Sequence, residues 1–232
     1  MVSMIRNIFF VVTFVSLTAQ AANELVITDF SSRTNGKGVP AGWELKEKSG
    51  RADLKIIQVD GKSGVQLRST NTSFSLQRAV KADIKAMPYL SWKWKVTRLP
   101  EGGDFRKSKT DDQAAQLFVA FNRTQAIVYL WDTSAPEGLM ADAPSPPFIS
   151  IKAVVVRSKG NRLGEWLSET RNLYADYLKF YGDSEKSPVV TGVRLQINTQ
   201  HTRSAAESFF ADVVFHSDEK KVAKAPEAGS RE

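Results

Sequence analysis

Four carboxylates stand where a chain of this kind could use them. Asp111 and Asp112 end a polar loop, Asp132 follows an aromatic run, and Glu165 stands beside Trp166. Two-carboxylate glycoside hydrolysis needs a pair of acids about 5–5.5 Å or about 6.5–9.5 Å apart across a cleft. Non-covalent sugar recognition needs less: acids, amides and guanidinium groups in the plane of hydroxyls, and a flat apolar surface for the ring. Asp111 and Asp112 are adjacent, and successive side chains on a strand point to opposite faces, so they do not form a matched acid pair. One of them can face a site, or both can satisfy the amides of a turn. Glu165, Trp166 and Arg171 bring an acid, an aromatic and a guanidinium into one segment, which suits a polar ligand or a structural Glu–Arg pair equally. Trp131, with Tyr129, Trp92 and Trp94, is either a stacking platform or core, because one face of every strand in a sandwich goes inward. Lys93, Lys95 and Arg98 form either a shallow basic surface for uronic acids, phosphates or sulfates, or an ordinary solvated face.

Other chemistries lack their residues. There is no cysteine, which excludes disulfides, a thiol nucleophile and a thiolate metal site. The two histidines, His201 and His216, have no companion donors at zinc spacing. Gly61-Lys62-Ser63 lacks the glycine a phosphate loop needs five positions earlier, where Ile56 stands, so it is a turn. No G-x-S-x-G occurs. The formal charge of +7 is spread along the chain without a long basic run or a nucleic-acid-binding fingerprint, so no nucleic-acid partner is expected.

The elements that must position these groups are mostly strands. In Leu90-Ser91-Trp92-Lys93-Trp94-Lys95-Val96 the apolar and polar residues alternate with period two. With Gln116–Phe121 and Ala126–Trp131 it reads as the middle of an antiparallel sheet. Further strands are expected at Leu25–Phe30, Leu54–Val59, Val65–Ser69, Phe74–Val80, Phe148–Val156, Val189–Asn198 and Phe209–Phe215. Asn172–Tyr181 is the helix, with Asn172 as N-cap and Gly182 as its left-handed stop. Many short strands and one short helix give an all-β sandwich of the jelly-roll kind.

The ends carry their own signals. Arg6, the apolar run Ile8–Leu17 and Ala19-Gln20-Ala21 form a secretory signal cleaved before Ala22, and the run is too short for a comfortable membrane span. The expected organisation is therefore a signal peptide over 1–21, a sandwich domain over 22–216 and a disordered charged tail over 217–232. The mature protein is then periplasmic or secreted and monomeric, with no span after cleavage.

Trp92-Lys93-Trp94, Asp111-Asp112-Gln113-Ala114-Ala115 leading into Leu117–Phe121, Tyr129-Leu130-Trp131, Gly164-Glu165-Trp166 with Arg171, and Asp176-Tyr177 with Tyr181-Gly182 recur in this order in one bacterial family. On these pieces the chain resembles domain of unknown function 3047. The resemblance covers nearly all of the mature chain and implies a galactose-binding-like jelly roll similar to carbohydrate-binding modules. It also places Asn198, Gln200, His201 and Thr202 where the family usually carries Asp-x-Asp-Asn-Thr, so two expected carboxylates are amides here. Gln200 can then hydrogen-bond a sugar but cannot serve as a base. By the same resemblance Asp29 and Asp212 are the residues available for a structural calcium; no other cofactor is expected. The resulting expectation is an exported, non-catalytic protein that binds a polysaccharide or small glycan. The alternatives are a polysaccharide hydrolase or lyase using Asp112 and Glu165, or an envelope assembly protein with a protein partner.

Overall fold

The computed structural model describes residues 24–28, 30, 34, 38–59, 61–183 and 188–218. The expected signal peptide and nearly all of the expected tail lie outside them, as does Asp29. The strands are β1 (Glu24–Val26), β2 (Glu44–Ser49), β3 (Asp53–Val59), β4 (Lys62–Thr70), β5 (Ser73–Asp83), β6 (Tyr89–Arg98), β7 (Ala115–Ala120), β8 (Gln125–Asp132), β9 (Met140–Asp142), β10 (Ser150–Ser158), β11 (Leu167–Asn172), β12 (Val189–Asn198) and β13 (Ala205–His216). One helix, α1, spans Leu173–Tyr181. Its cap is the expected one: the Asn172 side chain accepts from the Ala175 N–H, and Gly182 follows at a φ of 76°. Among the described residues, no helix is long and apolar enough to cross a membrane.

Two sheets form a jelly-roll sandwich. The first runs β11-β6-β13-β4-β3, with β1 added to β13; the second runs β2-β5-β12-β7-β8-β10-β9. This corrects one expectation. The Trp92 strand, β6, does not share a sheet with β7 and β8 but faces them across the core. Nor is every pairing antiparallel, because β8 and β10 run parallel. Alternation shows which side of a strand is apolar, and it does so correctly here, but it carries no information about which sheet the strand joins.

The indoles fill the space between the layers. Trp92 packs on Tyr129 with ring centroids 5.2 Å apart, and Trp94 packs on Trp131 at 5.7 Å. All four rings are at most 1% exposed. Polar atoms that the packing carries inside are mostly paired. Trp94 Nε1–H donates to Glu169 Oε1 at 3.1 Å, and Arg157 grips the same carboxylate through Nε and Nη2 at 2.7 and 3.0 Å. The Tyr129 hydroxyl donates to Asp176 at 2.9 Å, and Arg171 holds that carboxylate with two further bonds, which fastens α1 to the second sheet.

Candidate functional site

The solvent side of the seven-stranded sheet is not the uniformly polar surface expected of an outer face. On β12, Gly192, Arg194, Gln196 and Asn198 point outward while Val193, Leu195 and Ile197 enter the core; on β7, Gln116, Phe118 and Ala120 point outward while Leu117 and Val119 go in. These outward residues floor a groove of about 860 Å³. Loop residues wall it, including Phe105, Asp111 and His201 on one side and Pro144, Pro146 and Ile149 on another.

The strand register sets the order of side chains across the floor. Glu44, Gln77, Arg194, Phe118 and Val128 are successive partners on β2, β5, β12, β7 and β8. The next row runs Lys46, Ser75, Gln196, Gln116 and Leu130. One half of the groove is therefore amide-rich and charged; toward β8 and β10, Phe118, Val128 and Leu130 pack with Phe105 into a second small core, which leaves Pro144, Pro146, Ile149 and Ile151 as the apolar lining. At the centre the Arg194 guanidinium lies 3.9 Å from the centroid of the Phe118 ring. Burial pulls its pKa below the ordinary arginine value.

One end of the groove is built by a buried polar cluster. Asn198 is its hub: Oδ1 accepts from the Gln113 N–H at 3.1 Å and from Gln116 Nε2 at 2.5 Å, and Nδ2 donates to the Asp111 carbonyl and to Asp112 Oδ1 at 2.5 and 3.0 Å. An aspartate at 198 could not make the last two bonds and would set a second anion against Asp112. The amide at 198 is thus the group its neighbours need. Asp112 is fully buried, its Oδ2 accepting from Thr202 N and Oγ1 at 2.6 and 2.8 Å. His201 Nδ1 stands 3.3 Å from Asp112 Oδ1.

The seven residues singled out from sequence go to different places. Asp111 lines the groove. Asp112 and Gln200 lie in the cluster behind it, and the Gln200 side-chain oxygen is buried without a hydrogen-bond partner. Trp131 is core, with its indole N–H donating to the Lys159 carbonyl. Arg171 is committed to Asp176. Glu165 pairs with Arg162 in an exposed turn, and Trp166 packs on Phe209 on the outer side of the six-stranded sheet, where Lys95 Nζ lies 4.3 Å from the Phe209 ring centroid. Asp112 and Glu165 therefore do not face each other across the groove. Asp132 is also fully buried, its oxygens taken by the N–H groups of Phe105, Ser134 and Ala135. Asp212 sits in a bulge of β13 with φ 49°, and Lys93 Nζ lies 3.4 Å from its carboxylate. Asp29, its expected companion, lies outside the described residues.

Residues 41–214 match the family described as protein of unknown function (DUF3047). The chain belongs to this family. No curated protein matches it in sequence. Among solved structures, this DUF3047 chain is similar to the family 11 carbohydrate-binding module of the cellulosomal cellulase Lic26A-Cel5E of Clostridium thermocellum, at 10% identity and TM-score 0.46, over 86% of this chain and 97% of that one. It is similar to the xyloglucanase domain of NopAA from Sinorhizobium fredii at 11% identity and TM-score 0.47, over 75% and 94% of the two chains. The family GH12 endoglucanase 3 of Trichoderma harzianum gives 7% identity and TM-score 0.45, over 84% and 98%. At such identities the site of the DUF3047 chain has to be judged on its own residues.

Among them Asp111 carries a pH signature. Burial pushes its carboxyl up to about 6; Asp112 adds to the rise, while Gln113, His201 and Lys48 oppose it. A carboxyl whose folded pKa exceeds its unfolded value, about 3.9, holds its proton more tightly when folded. Its contribution to stability is complete below the unfolded value and is lost as pH rises through about 6. Asp111→Asn removes that loss. Relative to the variant, the wild type should lose about 2 kcal/mol between pH 4 and pH 7.5. Urea unfolding of both proteins at the two pH values measures this, and a gap independent of pH would contradict it.

Proposed function

We propose that this DUF3047 member is an exported, non-catalytic glycan-binding protein whose site is the groove on the seven-stranded sheet. In this reading residues 1–21 are removed on export, 22–216 form the binding domain, 217–232 are a charged tail, and the monomer works in the periplasm or outside the cell. The reading rests on one observation: an outer sheet face that should be solvated and polar is instead a groove floored by Gln77, Gln116, Gln196 and Arg194 and bordered by the apolar Pro144, Pro146, Ile149 and Ile151. Planar amides donate and accept together, as sugar hydroxyls require, and the apolar border suits the C–H faces of sugar rings.

Affinity electrophoresis against a panel of soluble polysaccharides tests the proposal. Gln196 makes a single long side-chain bond, 3.4 Å to Gln116, so its amide is the one most available to a ligand. Gln196→Ala should weaken retention about fivefold to tenfold, the worth of one or two hydrogen bonds. Trp166→Ala, on the opposite sheet, should change it less than about twofold. The reverse pattern would move the site to the six-stranded sheet, and no retention on any polymer would defeat the reading.

A further inference from the structure

We infer that the groove selects glycans bearing an oxyanion, with Arg194 as the residue that recognises it; the inference rests on the groove being the glycan site. Three observations converge on that side chain. Arg194 lies on β12, midway along the row from Glu44 to Val128, so it occupies the middle of the floor. Its guanidinium lies over the Phe118 ring, with Cζ 3.9 Å from the centroid, so the ring holds the cation in place within the groove. Among the described residues no carboxylate pairs with it, whereas Arg157 is gripped by Glu169 and Arg171 by Asp176, and Arg78, partly buried in the same groove, donates to the Ile27 carbonyl. A desolvated guanidinium without a counter-charge costs free energy, and an anionic ligand supplies what is absent. Its fork matches a planar carboxylate, as in a uronic acid, and also binds sulfate or phosphate substituents. Lys48, Arg78 and Arg123 line the same groove, so the acids there, Glu44 and Asp111, are outnumbered.

The other basic surface, around Lys93 and Lys95, provides the control. Lys95 lies against the Trp166 and Phe209 rings on the far sheet, and Lys95→Met removes the same unit of charge there. Wild type, Arg194→Met and Lys95→Met are compared by affinity electrophoresis in moderate salt. The gels contain polygalacturonate or alginate, the carboxyl-reduced neutral form of each, κ-carrageenan as the sulfated probe, and mixed-linkage β-glucan. The expected result is that wild type is retained by an acidic polymer at least tenfold more strongly than by its reduced form. Arg194→Met should abolish that preference and Lys95→Met should keep it within twofold. Preference for the uronates or for the carrageenan identifies the oxyanion. Equal losses in the two variants would show diffuse charge attraction and overturn the inference. Retention on neutral polymers that depends on Gln196 but not on Arg194 would overturn it while leaving the groove as the glycan site. Retention on none would remove both. Methionine keeps the apolar stem over Phe118, so the melting temperature of Arg194→Met should not fall, which separates lost recognition from lost folding.

Discussion

Asp112→Ala is expected to destabilise the fold by about 3 kcal/mol or more. The side chain is wholly buried, and its two oxygens accept from the backbone and hydroxyl of Thr202 on one side and from Asn198 on the other. Alanine leaves those donors facing a void. Two of them keep a second partner, since Thr202 Oγ1 also meets Ser204 Oγ at 2.7 Å and Asn198 Nδ2 also meets the Asp111 carbonyl. The Thr202 N–H keeps none, and it carries the largest share of the loss. Asparagine should not rescue the protein, because either orientation of its amide turns an NH₂ group toward a donor. Urea unfolding of the two variants at pH 7 checks this. An Asp112→Asn protein as stable as wild type would mean that the carboxylate is not held by donors on both oxygens. Because the same cluster positions Asp111 and His201 on the groove wall, Asp112→Ala should also weaken any retention that the groove gives.

Glu169→Ala is expected to cost about 3 kcal/mol, by a different route. Glu169 pairs β11 to β6 at the edge of the six-stranded sheet and reaches across to Arg157 on β10 of the other sheet. It therefore closes the side of the sandwich with a bidentate ion pair that also satisfies the Trp94 indole. Removing it strands a buried N–H and leaves Arg157 with only Glu137 at 3.6 Å. About a quarter of the Arg157 side chain is exposed, so solvent screens part of the charge and the loss falls at the low end of the range for buried pairs. Glu169→Gln keeps an acceptor for the indole and should recover about 1 kcal/mol of the loss. Adding Arg157→Met to Glu169→Ala should cost little more than Glu169→Ala alone, since the partner is already gone. Additive losses in that cycle would show that the pair is not coupled.

The centre of the fold is legible in the sequence, and its edges are not. Val189–Asn198 is found with its observed limits, and the strands around Trp92, Leu117 and Tyr129 are found within a residue or two, because each alternates cleanly between a core face and an outer face. The strands that sequence reasoning misses, β2, β9 and β11, are all edge strands. Glu44-Leu45-Lys46-Glu47-Lys48-Ser49 carries the charges that keep an edge from pairing with another chain, and those charges hide the strand signal. The site is obscured for a related reason. Aromatic residues draw attention in a sequence, but Trp92, Trp94 and Trp131 are packing groups. The groove is made of glutamines and one arginine at alternate positions of β7 and β12, a pattern that any solvated strand face shows. What separates Arg194 from an ordinary surface arginine is Phe118 beside it on the neighbouring strand, a juxtaposition created by the register of β12 on β7. Asp111 is the exception, visible in both readings because a carboxylate ending a long polar loop stands out in the sequence and reaches the groove in space.

The row of unlike groups from Glu44 to Val128 gives the groove a heading. Neighbouring strands lie about 4.8 Å apart, so anything extended along the row encounters an acid, an amide and a cation in turn, over about 10 Å, before Phe118 and Val128, which packing closes off. Reversing the guest would bring different substituents to each of these stations. A polymer with distinct ends would therefore be read in one direction only, without any twofold ambiguity for the protein to resolve.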